Sequence, residues 1–159
     1  MTRSQVLWMV GWLSLCVALP QARALPSKRT PSANHQAKTA FNQGYQAQKA
    51  GHYQEAIEAY EESLRYDSKQ AEALNNVGFC YKSLKRYQKA IGYYKEALAI
   101  NPQLAEAHEY LGEAYLGLGK LELAKREYKV LRTLDPHEAR ELKEKLDAAL
   151  EKATPSSHD

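Results

Sequence analysis

The sequence predicts an all-α fold, a solenoid of three helical hairpins followed by one further helix. Two observations lead to this prediction. Residues 37–138 divide into three windows of equal length that align without a gap, and each window contains two apolar patterns with helical spacing. One such pattern, in the second window, is Leu74, Val77, Cys80, Tyr81 and Leu84. Each window is therefore expected to form two helices packed on each other.

The windows cover residues 37–70, 71–104 and 105–138, and three of their positions are identical in all of them. These positions hold Gly44, Gly78 and Gly112, then Ala56, Ala90 and Ala124, then Tyr60, Tyr94 and Tyr128. A glycine or alanine at a helix crossing lets two backbones approach to about 8–10 Å. The large tyrosine side chain then fills the space beside the crossing.

Glycine and proline mark the expected breaks between helices. Pro102 and Pro136 are one window apart and cannot continue a helical hydrogen-bond ladder, so they indicate the joints between hairpins. Gly51 and Gly119 indicate the tight turn inside a hairpin, where a positive φ suits glycine.

The two ends of the chain differ from the repeats. Residues 1–24 combine Arg3, an uncharged apolar stretch and Ala22-Arg23-Ala24, a composition typical of a cleaved secretory signal; an uncleaved amino-terminal anchor is the alternative. Residues 25–36 are expected to be a flexible linker, residues 139–152 a capping helix that covers the last hairpin, and residues 153–159 a disordered tail.

Charge and cysteine content exclude several classes of protein. The chain has 22 Lys and Arg residues and 19 Asp and Glu residues, and two of the basic ones, Arg3 and Arg23, lie in the expected signal. The near-neutral remainder gives little attraction for nucleic acid or anionic lipid. Removal of the signal also removes Cys16, so Cys80 is expected to be a reduced core residue rather than half of an intramolecular disulfide.

The windows resemble tetratricopeptide repeats. The second window reads Leu74-x2-Val77-Gly78-x2-Tyr81, then Ala90-x3-Tyr94, then Pro102, which is similar to the W-x2-L-G-x2-Y, A-x3-F, P pattern of that family. The third window reads His108-x2-Leu111-Gly112-x2-Tyr115, then Ala124-x3-Tyr128, then Pro136. The first is weaker, with Ser68 where the others have proline. The resemblance implies a right-handed superhelix with a concave face formed by the first helix of each hairpin.

The resemblance also implies which side chains face a partner. The concave positions of the family correspond here to Lys38, Phe41, Asn42, Tyr45, Gln48 and Lys49 in the first hairpin, to Glu72, Asn75, Asn76, Phe79 and Lys82 in the second, and to Glu106, Glu109, Tyr110, Glu113 and Leu116 in the third. Aromatic anchors beside amide side chains suit a groove for an extended peptide. Because the glutamates are concentrated in the third hairpin, a ligand with a basic end is expected to fit that half.

Some family members hold the terminal carboxylate of heat-shock chaperones through a clamp of lysine, asparagine and arginine. Only Asn76 matches that clamp here. Phe41 and Tyr45 occupy the clamp positions of the first hairpin, and Glu106 and Tyr110 occupy those of the third. The resemblance therefore implies binding of a peptide without carboxylate capture.

The sequence contains no catalytic or metal-binding pattern. The five histidines have no metal-ligand spacing, and the segment Gly117-Leu118-Gly119-Lys120 lacks the earlier glycine of a phosphate loop. His108 stands at the large apolar first position of its repeat, where a packing role is expected. No cofactor and no small-molecule substrate are expected.

The function predicted from the sequence is that of a non-enzymatic adaptor or scaffold of the cell envelope, which binds a protein segment in its groove. The expected location is the periplasm of a Gram-negative bacterium or the medium. Two alternatives stay open. One is a structural role through self-association, and the other is an accessory subunit of a membrane-anchored assembly, which requires an uncleaved amino-terminal segment.

Overall fold

The computed structural model describes residues 32–153, and this part of the chain consists of seven α-helices without a strand. The helices are α1 Ala33–Lys49, α2 Tyr53–Tyr66, α3 Ala71–Ser83, α4 Tyr87–Ile100, α5 Ala105–Gly117, α6 Leu121–Leu134 and α7 Pro136–Ala153. The predicted all-α fold is confirmed. The expected signal, most of the expected linker and the tail after Ala153 lie outside the described residues.

The hairpins stack in the order of the chain. Helices α1 and α2, α3 and α4, and α5 and α6 pack as pairs, and each pair contacts the next through α2 with α3 and α4 with α5. Helix α7 then packs on both α5 and α6, in the place that the first helix of a fourth hairpin would take. None of the described helices is both long and apolar enough to span a bilayer.

The helix crossings in the first two hairpins depend on glycine. A Cβ added to Gly78 would lie 2.6 Å from the ring of Tyr94, and one added to Gly44 would lie 2.8 Å from the ring of Tyr60. Both tyrosines are fully buried. A ring packed flat on a glycine backbone thus sets the distance between the two helices of each hairpin.

The third hairpin uses its glycine differently. A Cβ on Gly112 would meet Leu142 of α7 at 2.6 Å, and Tyr128, at the position of Tyr60 and Tyr94, is only partly buried. Leu142 is fully buried with Leu131 and Ala139. The capping helix therefore closes the apolar end of the stack, as the sequence predicts.

The turns inside the hairpins share one left-handed residue. Gly51 and Gly119 have φ values of 79° and 69°, as predicted. The second hairpin places Lys85 at the equivalent position with φ of 58°. A side chain in this region is strained, because its Cβ crowds the following carbonyl.

The joints between hairpins are closed by Asp or Asn side chains. The Oδ1 atoms of Asp67, Asn101 and Asp135 accept hydrogen bonds from the backbone N–H two residues ahead, at 3.1, 3.1 and 2.8 Å. This turn explains how the first joint forms although Ser68 replaces the proline of the other two. Pro136 stands at the first position of α7, where its missing N–H has no consequence.

The structure corrects the predicted limits of the terminal helices. Helix α1 begins at Ala33, inside the expected linker, because the Ser32 hydroxyl accepts a hydrogen bond from the His35 N–H at 3.3 Å and caps the helix. The capping helix runs over Pro136–Ala153 rather than 139–152, because Asp135 caps it at its amino end.

Candidate functional site

We use the term groove face for the surface formed by the predicted partner-facing residues of α1, α3 and α5. The structure divides this surface into two parts with different properties. On α1 most of the predicted side chains are exposed, whereas on α3 and α5 most of them contact one another or α7.

The exposed part is a stripe along α1. Lys38, Asn42, Tyr45 and Lys49 follow one another at intervals of four, three and four residues, so they lie on one side of the helix, and all four are exposed. Tyr45 is 44% exposed, and the Nζ of Lys49 lies 5.6 Å from the centre of its ring. This stripe offers an aromatic ring with amide and ammonium donors on either side.

A cleft of about 400 Å³ adjoins the amino-terminal end of this stripe. Phe41 lies in its wall and is half-buried, with its ring edge-on to Tyr60 at a centroid distance of 5.4 Å. Asp67 and Glu72 also line this cleft. The cleft therefore combines an apolar wall with acceptors for the donors of a peptide backbone.

The middle of the groove face is filled by aromatic rings. Phe79 of α3 contacts Tyr110 of α5 at 5.4 Å between ring centres, and the ring centre of Tyr53 lies 6.3 Å from that of Phe79. The Nζ of Lys82 lies 4.3 Å from the Tyr110 centroid. Phe79 and Tyr110 thus stabilise the contact between successive hairpins, and only part of each ring is available to a ligand.

The later part of the groove face is an ion-pair network. Glu113 of α5 pairs with Lys82 of α3 and with Lys145 of α7, and Lys145 also lies 3.4 Å from Glu109. Burial alone would raise the pKa of Glu113, but hydrogen bonds from Lys145 and Lys82 outweigh it and hold the pKa below its usual value. Burial raises the pKa of Glu109, and Lys145 opposes that shift.

This network changes the expectation for the third hairpin. The carboxylates of Glu109 and Glu113 already bind lysines of the same chain, and Glu109 is only 6% exposed. Among the three predicted glutamates, only Glu106 is exposed. A basic end of a ligand therefore meets one open carboxylate there instead of three.

The two asparagines of α3 have different surroundings. Asn75 is 2% exposed, and its Oδ1 has no hydrogen-bond partner among the described residues. Contrary to the prediction, its side chain therefore does not line the open surface. Asn76 is partly exposed, and the Tyr60 hydroxyl beside it donates a hydrogen bond to Gln48 Oε1 at 2.9 Å. Only Asn76 can reach a ligand without a rearrangement of α3.

Sequence reasoning missed Lys145. Its position gave no signal, because Lys145 lies beyond the aligned windows, which end at residue 138, and the charged residues around it fit an exposed helix face equally well. The structure brings Lys145 to α5 because Leu142 and Leu146, one turn apart, are both buried and fix the rotation of α7.

Cys80 and the histidines form no reactive centre in the part of the chain that the structure describes. Cys80 is fully buried, and burial raises the pKa of its thiol to about 12, which fits the predicted core role. His108 is also buried in packing, as predicted, between Glu127 and the Pro102 carbonyl. Residues 32–153 contain no cluster of metal-ligating side chains.

Family models of the tetratricopeptide repeat match two overlapping parts of the chain. One covers residues 41–105 and the other residues 82–146, so together they extend from the second half of α1 into α7. No curated protein sequence matches the chain.

Several solved structures are similar to the chain over its helical part. The first repeat domain of human RPAP3 is 30% identical, with a TM-score of 0.70 over 75% of this chain and 95% of that one. The second human RPAP3 domain, solved with the HSP70 peptide SGPTIEEVD, is 26% identical, with a TM-score of 0.68 over 72% and 98% of the two chains. The first domain of Spaghetti (RPAP3), bound to the HSP90 peptide SRMEEVD, is 29% identical, with a TM-score of 0.69 over 74% and 94%.

Proposed function

Because the chain belongs to the tetratricopeptide-repeat family, we propose that it is a protein-interaction adaptor that binds a segment of another protein on its groove face. The observation that carries this proposal is the exposed stripe of α1, in which Tyr45 stands between Asn42 and Lys49 with 44% of its surface open. An exposed aromatic ring beside hydrogen-bond donors is the usual anchor of a peptide-binding surface.

The proposed binding site is the early half of the groove face. Its members are Lys38, Phe41, Asn42, Tyr45 and Lys49 of α1, together with Asn76 of α3 and the cleft beside Phe41. In the later half, Phe79, Tyr110 and Glu113 contact neighbouring helices of the same chain. A ligand there would have to displace these contacts, whereas the α1 stripe is open.

The partner proposed here differs from the chaperone tails bound by the RPAP3 domains. Those domains were solved with peptides that end in EEVD. In this chain the family's clamp positions in the first and third hairpins hold Phe41, Tyr45, Glu106 and Tyr110, none of which is a cation, and only Asn76 of the second hairpin matches the clamp. The groove is therefore suited to an internal segment with an apolar side chain for Tyr45 and backbone acceptors for Asn42 and Asn76.

We further propose that the adaptor works in the cell envelope after export. The support is the composition of residues 1–24, which is typical of a signal cleaved after Ala24. Intact mass and amino-terminal sequencing of the chain from the periplasm should give a start at Leu25. A chain that keeps residues 1–24 in the membrane fraction would replace export with the anchored alternative.

Affinity capture with a matched pair of variants tests the binding proposal. Tyr45→Ala removes the exposed ring of the groove face, and Tyr66→Ala removes a ring that is 39% exposed at the end of α2, outside it. Proteins retained from envelope extracts by the parent and by Tyr66→Ala, and lost by Tyr45→Ala, support the proposed site. Equal retention by all three chains, each folded by circular dichroism, rules out the α1 stripe as the binding surface.

A further inference from the structure

We define the outer face as the outward sides of α2, α4 and α6, and an exposed glycine lies at its centre. Gly92 stands in the middle of α4, and a Cβ added to it meets no atom within 4 Å. Glycine weakens a helix interior relative to alanine, and here no neighbour in the described chain requires it. Gly44 and Gly78, by contrast, are covered by tyrosine rings. A glycine in this position suits the close approach of another molecule.

Opposite charges stand on either side of this glycine. Glu58 of α2 and Arg126 of α6 lie one repeat before and one repeat after Gly92, and therefore at the same height on the outer face. Both are exposed, and neither forms an ion pair with any described residue. The net charges of the two flanking outward helices also differ in sign. Helix α2 has four glutamates and one arginine, whereas α6 has four basic and two acidic residues.

Such a surface is complementary to itself about a two-fold axis parallel to α4. That axis sets α4 against α4 of a second copy and brings α2 of each copy opposite α6 of the other. The pair of Glu58 with Arg126 of the other copy therefore forms twice, once on each side of the axis. Residues three and four positions after Gly92 fall on opposite sides of it, because a helix turns about 100° per residue. Lys95 of one copy therefore faces Glu96 of the other. A two-fold axis across the helices would instead oppose α2 with α2 and place like charges together.

We propose that this chain forms a two-fold symmetric dimer through its outer face, with Gly92 at the centre and Glu58 pairing with Arg126 of the second copy. Gly92 and Ala99, both exposed on α4, let the two helices approach closely. The long side chains of α2 and α6 then bridge the wider gap on either side. The dimer leaves the groove face open, so the proposal is independent of peptide binding.

Sedimentation velocity tests for the dimer. The protein is expressed from the full sequence and purified as the cells produce it, with or without residues 1–24. The parent is expected to dimerise as its concentration rises, with weaker association at high salt. Glu58→Arg alone and Arg126→Glu alone each place like charges in both pairs, and each should raise the dimer Kd by roughly tenfold or more. An equimolar mixture of the two variants should dimerise again, because every pair in the mixed dimer is then opposite in charge.

Two further variants distinguish a loss of the dimer contact from a loss of folding and from a general effect of the changed charge. Gly92→Gln places a side chain at the centre of the dimer but meets open space in the single chain, so it should abolish the dimer without lowering the Tm measured at concentrations where the parent is monomeric. Glu144→Arg makes the same charge change on the exposed side of α7 and should leave the dimer Kd unchanged. A parent that stays monomeric at all concentrations overturns the proposal. So does a dimer that survives both single reversals, or a mixture that stays monomeric.

Discussion

At the scale of single residues, the glycines between residues 32 and 153 perform different tasks although all of them lie in or beside helices. Gly78 lies under the buried ring of Tyr94, Gly112 faces the flexible end of Leu142, and Gly92 faces open space. The effect of an added methyl group on the free energy of unfolding therefore depends on which atoms it contacts and on whether those atoms can move.

Alanine substitutions at these three glycines should change the free energy of unfolding by different amounts. Gly78→Ala should lower the free energy of unfolding by about 1–3 kcal/mol, because the Tyr94 ring is fully buried and has no room to shift. At concentrations where the chain is monomeric, Gly92→Ala should raise it by about 1 kcal/mol through helix propensity. Gly112→Ala should fall between them, since Leu142 can rotate. Urea denaturation gives all three values, and a Gly78→Ala variant as stable as the parent would contradict the packing account.

His108 links three elements through both of its ring nitrogens. Its Nδ1 lies 2.8 Å from Glu127 Oε2 of α6, and its Nε2 lies 3.1 Å from the Pro102 carbonyl in the joint before α5. Both neighbours are acceptors, so the doubly protonated ring satisfies both contacts. The hydrogen bond to Glu127 is the main cause that raises the pKa of His108, and burial opposes it.

The raised pKa of His108 predicts a pH-dependent stability. A group whose pKa is higher in the folded state stabilises the fold fully below its unfolded pKa, about 6.5 for histidine, and loses that contribution as the pH rises through the folded value. The free energy of unfolding should therefore decrease from acidic to mildly alkaline pH. Chemical denaturation across this range measures it, with His108→Phe as the control. A control with the same slope as the parent would show that other groups cause the effect.

At the scale of helices and turns, equivalent positions of the repeat do not always hold equivalent residues. The left-handed position inside each hairpin is filled by Gly51, Lys85 and Gly119. The second hairpin thus has the strained version of a turn for which the other two use glycine, although its backbone conformation is the same.

Relief of this strain should stabilise the second hairpin. Lys85→Gly is expected to raise the free energy of unfolding by about 0.5–1 kcal/mol, because the left-handed conformation costs a lysine more than the extra backbone freedom costs a glycine. The reverse change, Gly119→Lys, should lower it by a similar amount. Thermal denaturation of both variants measures the pair. If Lys85→Gly is less stable than the parent, the lysine side chain contributes a contact that outweighs the strain.

Much of this architecture follows from the sequence because the repeat spacing is regular. The recurrence of glycine, alanine and tyrosine predicts the hairpins, and Gly51 and Gly119 predict two of the three turns. The start of α1 depends on a single capping residue, Ser32, which the repeat pattern does not predict. Single capping bonds of this kind decide where a terminal helix begins, and periodicity contains no information on them.

At the scale of the whole molecule, the groove face is open at α1 and closed by contacts at α5. The network that runs from Lys82 through Glu113 to Lys145 crosses three helices. The sequence could not predict this asymmetry, because the same repeat position holds Phe41, Asn75 and Glu109, which differ in size and charge. Their burial depends on the neighbouring helix, and for Glu109 that neighbour is α7, outside the repeats.

Binding in the early half of the groove face is the central claim, and site-specific photo-crosslinking in cells tests it most directly. A photo-reactive phenylalanine derivative is introduced in place of Tyr45, in the proposed site, or in place of Tyr66, which is similarly exposed at the end of α2. The proposed function predicts a covalent adduct with a partner protein from the Tyr45 position and none from the Tyr66 position. Adducts from Tyr66 with none from Tyr45 would contradict it and place the binding surface outside the groove.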